Sequence, residues 1–122
     1  MRYLISTFGQ GDYDRILQAM KILPYEKLVL IGHEDAVGCE DLRRISRLEE
    51  ASGHEVETEL LDGGEFMGVV DSIADLLSAR MKRRGPGDTP AVVLNISGGT
   101  KLLGDAALLA AFRVGVEQYH VD

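Results

Sequence analysis

The sequence predicts an α/β fold: a Rossmann-like three-layer sandwich with a mainly parallel sheet of order 3-2-1-4-5 and helices on both faces. Three observations carry that expectation. Short β-rich runs alternate with longer segments of helical period along the whole chain, the pattern of βαβ units. The second run, KLVLI, shows no polar alternation, as a strand buried on both faces would not. The third, HEVETELL, alternates strictly and carries glutamates on one face, which suits the edge of a sheet.

The elements follow in order. Residues 2–7 (RYLIST) form the first strand and lead to Gly9 and Gly11. Residues 13–23 place Tyr13, Ile16, Leu17 and Met20 at helical spacing, with Asp12 as N-cap and Pro24 as the stop. The second strand is 27–31. Residues 38–52 carry Leu42, Ile45 and Leu48 on one stripe and end at Gly53. The third strand, 54–61, puts Val56, Thr58 and Leu60 opposite Glu55, Glu57 and Glu59. Residues 65–84 form the longest helix, with Lys82, Arg83 and Arg84 in its last turn, where cations suit the helix dipole. Residues 91–96 (AVVLNI) are the fourth strand, 101–114 the fourth helix and 116–121 the fifth strand. With strands 1, 2 and 4 inside and the glutamate-faced strand at an edge, the chain reverses direction between strands 1 and 4. Ligands of open α/β sheets bind at such a switch point, which the loops 8–12 and 97–101 would line.

Bulk properties narrow the function. The 122 residues suit one domain with a real core. No apolar run reaches the roughly 18 residues of a membrane span, and no signal peptide is evident, so the expected compartment is cytoplasmic, with no membrane partner. A single cysteine, Cys39, rules out an internal disulfide. No histidine pair has a metal-ligand spacing, and neither metal nor cofactor is expected. The net charge of −7 argues against direct binding of long nucleic acid. It leaves room for a small anion at a local site.

The segment LNISGGTKLLG, at the fourth strand-to-helix junction, carries the chemistry. Gly98 and Gly99 open backbone angles and close approach. Thr100 starts a helix whose free N–H groups and dipole favour an anion. The Ser97 and Thr100 hydroxyls and the Lys101 ammonium complete a phosphate cradle. The spacing is neither that of a P-loop nor that of the dinucleotide fingerprint. The plain alternative is a tight turn followed by a lysine laid along its helix. The fourth helix is apolar almost all round, so it must be covered all round. A second copy approaching over Gly104, Ala107 and Ala111 would do this, as would a further segment of chain.

LNISGGTKLLGDAALLAA followed by GVEQYHVD resembles the CARF domain, the CRISPR-associated Rossmann fold. Asn95, Ser97, Gly98, Gly99, Thr100 and Lys101 match its signature, and RYLISTFG is similar to its first strand and loop. The resemblance spans the element order of the whole chain and is specific over 94–121. It implies a homodimer that binds a cyclic oligoadenylate, the second messenger of type III CRISPR systems, across its two-fold axis. The implied ligand-binding residues are Thr7, Phe8 and Gly9 from one loop and Asn95, Ser97, Gly98, Gly99, Thr100 and Lys101 from the other. The expected entity is a sensor domain over 1–122, either trimmed after strand 5 from a protein whose C-terminal effector or helix-turn-helix domain is missing here, or a stand-alone binder that sequesters or degrades its ligand. One alternative is a metal-independent ring nuclease. There Lys101 would stabilise charge, and Ser6 or Thr7 would position a ribose 2′-hydroxyl for attack on its own phosphorus. The other alternative is an unrelated Rossmann-like nucleotide-binding enzyme. His33, Glu34 and Asp35 would reach the same end of the sheet and read more simply as a solvated loop. Glu49, Glu50 and the strand glutamates read as a solvated face, and Cys39 as a small residue at a helix start.

Overall fold

The computed structural model describes residues 1–9, 11–34, 38–61 and 64–119. Its elements are β1 (Arg2–Thr7), α1 (Tyr13–Ile22), β2 (Lys27–His33), α2 (Glu40–Ala51), β3 (Val56–Leu61), α3 (Phe66–Met81), β4 (Ala91–Asn95), α4 (Lys101–Val114) and β5 (Glu117–Tyr119). The sheet has the order β3-β2-β1-β4-β5 with every pair parallel, as the alternation of elements predicts. The predicted tail of strand 5 at 120–121 lies outside the described residues, as does Asp35.

Alternate residues of the central strands feed two cores. Tyr3, Ile5, Val29, Ile31, Val92 and Leu94 face α3 and α4. Leu4, Leu28 and Leu30 face α1 and α2. Each fully buried aliphatic side chain contributes about 1.5–3 kcal/mol relative to exposure. This two-sided burial is why β2 reads as an unbroken apolar run.

Three expectations are corrected by packing. Ala107 and Ala111 are 0% exposed within the chain itself, in the core shared with α3, so they do not await a second copy. The open face of α4 instead shows Leu102, Leu109 and Phe112, the last 69% exposed. The strand glutamates are not simply solvated. Glu57 takes the Lys27 ammonium at 2.6 Å and also pairs with Arg80 of α3, as does Glu59. Glu49 is 3% exposed and accepts from the Tyr25 hydroxyl at 2.8 Å and contacts His54 Nδ1 at 3.3 Å. Burial, reinforced by Glu49, pushes the Tyr25 phenol well above its usual range. The third helix also ends earlier than expected, at Met81 with Lys82 as C-cap, so Arg83 and Arg84 lie beyond it.

Ala107→Glu is expected to destabilise the chain by about 3–5 kcal/mol, the cost of an uncompensated buried charge. Within a single copy of the chain, Phe112→Glu should leave stability within about 0.5 kcal/mol. Urea unfolding of the two variants checks this, and equal losses would refute the assigned facing of α4. The Lys27 hydrogen bond, helped by Arg80, holds the Glu57 carboxyl below its ordinary 4.5, and the Glu57 bond raises the Lys27 ammonium above its ordinary 10.5. The contribution from Glu57 is present above pH 4.5 and lost as pH falls through its lowered value. That from Lys27 is present below 10.5 and lost as pH rises through its raised value. Glu57→Gln should therefore flatten the acid limb of a Tm-versus-pH curve.

Candidate functional site

β1 and β4 are neighbours, with Ser6 opposite Asn95. Their carboxyl ends meet where the order of connection reverses, and the turn 96–100 closes over them. Asn95, 0% exposed, organises this turn. Its Nδ2 donates to Ser6 Oγ at 3.1 Å, and its Oδ1 accepts from Ser97 N at 3.2 Å and Ser97 Oγ at 2.6 Å. Thr7 Oγ1 donates to Gly98 O at 2.8 Å, and Ser6 Oγ donates to Thr7 O at 3.1 Å. A Cβ on Gly98 would stand 2.3 Å from Thr7 O, and Gly99 has φ +78°. The first glycine permits close contact between turn and strand, and the second permits the turn itself.

The turn is also held from α1. Asp12 is the N-cap of α1 yet makes no side-chain cap hydrogen bond to its own helix. Its Oδ2 accepts from Gly99 N at 2.7 Å. Arg15 Nη1 donates to Ser97 O at 3.1 Å. Neither role was foreseen from the sequence, where only the Asp-x-x-Arg spacing after a glycine-rich loop hints at a shared target.

On the far side of the turn α4 begins. Thr100 Oγ1 accepts from Leu103 N at 3.2 Å, the expected N-cap bond. The Lys101 and Leu102 N–H groups, in the first turn of α4, have no partner among the described residues. Lys101 is 88% exposed and lies 3.7 Å from Asp105. A cavity of about 230 Å³ opens here, lined by residues 96–101 with Gly104, Asp105 and Leu108. Larger hollows exist, about 810 Å³ along α2 and about 410 Å³ at the β3–α3 junction. Each also borders a helix N-terminus, of α2 and α3 respectively, but neither lies at the switch point between β1 and β4.

The sequence-predicted residues thus converge on one place but divide into two layers. Ser6, Thr7, Phe8, Asn95, Ser97 and Gly98 are buried. Phe8 packs so closely on Gly32 that a Cβ there would lie 2.5 Å from its ring. Gly9 is half-buried, and Gly99, Thr100 and Lys101 are exposed at the rim. His33 is half-buried at the end of β2 and Glu34 is exposed; neither lines the cavity. Cys39 is the N-cap residue of α2. Among the described residues no His, Cys, Asp and Glu cluster could hold a metal ion, and no helix is long and apolar enough to cross a membrane.

The architecture is that of a Rossmann-like α/β fold with a glycine-rich turn at its switch point. The chain shares this fold with Can2 from Sulfobacillus thermosulfidooxidans, solved in complex with cyclic tetra-adenylate (TM-score 0.69, 14% identity, 100% of this chain and 32% of that one). It shares it equally with Enterococcus italicus Csm6 bound to cyclic hexa-2′-fluoro-hexa-dAMP (TM-score 0.70, 14% identity, 98% and 32%). The chain therefore spans about a third of the length of these proteins. No protein family and no curated protein matches its sequence. The resemblance carried by residues 94–121 is met at the level of the fold.

Asn95→Ala should cost about 1–3 kcal/mol for each group left unbonded at Ser6 and Ser97. Chemical denaturation measures it, and a loss under 0.5 kcal/mol would show that the turn stands without the Asn95 amide.

Proposed function

We propose that this chain is a cyclic oligoadenylate-binding sensor domain of the CARF kind, from an accessory or regulatory protein of a type III CRISPR system. The observation that carries the reading is the open N-terminus of α4. Unbonded amides, Thr100 and Lys101 stand there at the switch point of a fold shared with two proteins solved with cyclic adenylate rings. The helix dipole, the amides and the ammonium all favour a phosphate. Gly99, Thr100 and Lys101, with Gly9 from the facing loop, form the contact layer. Ser97 and Gly98 both line the cavity and hold the turn, and Ser6, Thr7, Phe8 and Asn95 act from beneath it.

A ring of four or six nucleotides is far larger than the cavity of about 230 Å³. It would therefore lie across two copies of the site, one per protomer of a homodimer. The exposed Leu102, Leu109 and Phe112 on α4 supply apolar area for such a contact. Binding is favoured over cleavage because Ser6 and Thr7 are fully buried and their hydroxyls bond main-chain carbonyls beneath the turn. A catalytic role would require them to be uncovered. Any effector lies in a further part of the protein, and the sensor would act by altering the dimer that carries it.

Calorimetric titration with cyclic tetra-adenylate and cyclic hexa-adenylate tests the reading, with ATP and NAD as controls. One ring should bind and the controls should not. Lys101→Ala should weaken binding about 10-fold, the low end for a charge-assisted hydrogen bond, because the ammonium is exposed to solvent screening. Binding of ATP or NAD in place of both rings would refute the sensor.

A further inference from the structure

The geometry points to Asp12 as a competitor built into the site: its carboxylate holds the Gly99 N–H that a ligand phosphate would take, and binding requires it to be displaced. This inference rests on the proposed sensor function and specifies how the turn discriminates among anions.

An aspartate at a helix N-cap ordinarily bonds the amides of its own first turn. Asp12 does not. Its Oδ2 instead reaches a residue 87 positions away, 2.7 Å from Gly99 N. The Asp12 side chain is largely buried, at 13% exposure. Its Oδ2 lies 3.3 Å and 3.2 Å from where Cβ atoms on Gly9 and Gly98 would stand. It therefore fills the hollow between the two glycine loops, on the amide of the one residue in the turn with positive φ. The charge is only loosely answered. Arg15 Nη1 is 4.0 Å from Oδ1, while the same Nη1 donates to Ser97 O at 3.1 Å.

A phosphate on the Gly99 amide and a carboxylate on the same amide exclude one another. A phosphate nearby still meets a like charge at a few ångströms in a partly desolvated place, where repulsion is strong. The Gly99 amide is thus closed to weakly bound anions such as inorganic phosphate. A ligand must offer enough contacts elsewhere to expel the carboxylate, and Arg15 stands where it can receive it. Differential affinity of this kind is specificity by a repulsive element.

Asp12→Asn separates this role from bracing. An asparagine Oδ1 can still accept from Gly99 N, so the turn keeps its hydrogen bond and loses only the charge. Titration of wild type, Asp12→Asn and Asp12→Ala with the ring that wild type binds, beside inorganic phosphate, reads the effect. Asp12→Asn should bind the ring about 10-fold more tightly and take up inorganic phosphate that wild type rejects, with Tm near wild type. In wild type the Gly99 amide resonance should move when the ring saturates the site. Wild-type affinity in Asp12→Asn, with weaker binding and lower Tm in Asp12→Ala, would make Asp12 a brace and overturn the inference alone. A Gly99 resonance unmoved by bound ring would do the same. Absence of ring binding in all three proteins would instead overturn the sensor reading on which it rests.

Discussion

The turn after β4 lies directly on the end of β1, and the rest of the site depends on that contact. Gly98 stands so close to the Thr7 carbonyl that no side chain fits between them. Main-chain groups pressed together in this way lose water and must find partners, since an unbonded buried polar group costs about 1–3 kcal/mol. Thr7, Ser6, Asn95 and Ser97 supply them. Among the described residues no buried side-chain nitrogen or oxygen is left without a partner. The hydroxyls and the amide near the switch point are therefore spent on the architecture of the turn.

This economy explains the layering of the site. A rigid, fully bonded layer of uncharged polar groups lies below, and main-chain amides with one threonine and one lysine lie above. A preformed anion site needs the first to orient the second, because donors on a loose turn would lose their geometry to chain entropy. Charge is handled locally. Arg15 is near Asp12 and Lys101 is near Asp105, each within one helical turn. The net −7 of the chain thus says little about the potential at the turn.

The same balance holds at the sheet edge. β3 is exposed along one side, and a row of glutamates keeps it from pairing with another strand. Lys27 and Arg80 then convert those carboxylates into ties to β2 and α3. One set of residues protects the edge and fastens it.

By itself the sequence determined the order of elements, the strand order, the edge position of β3 and the junction where the site would lie. Each of these follows from local periodicity, turn residues or the burial demanded by an unbroken apolar strand. The tertiary structure decided what periodicity cannot encode. A helix apolar on every side, such as α4, has no phase to read, so only packing against α3 showed that Ala107 and Ala111 face inward and Phe112 outward. Glu49 reads as surface by residue type and is buried because Tyr25, from before α2, and His54, just past its end, satisfy it. Asp12 reads as a helix cap, its commonest use. It serves the Gly99 amide instead, because folding brings two glycine loops 87 residues apart into contact, and a carboxylate bonds whichever donor that contact leaves within reach.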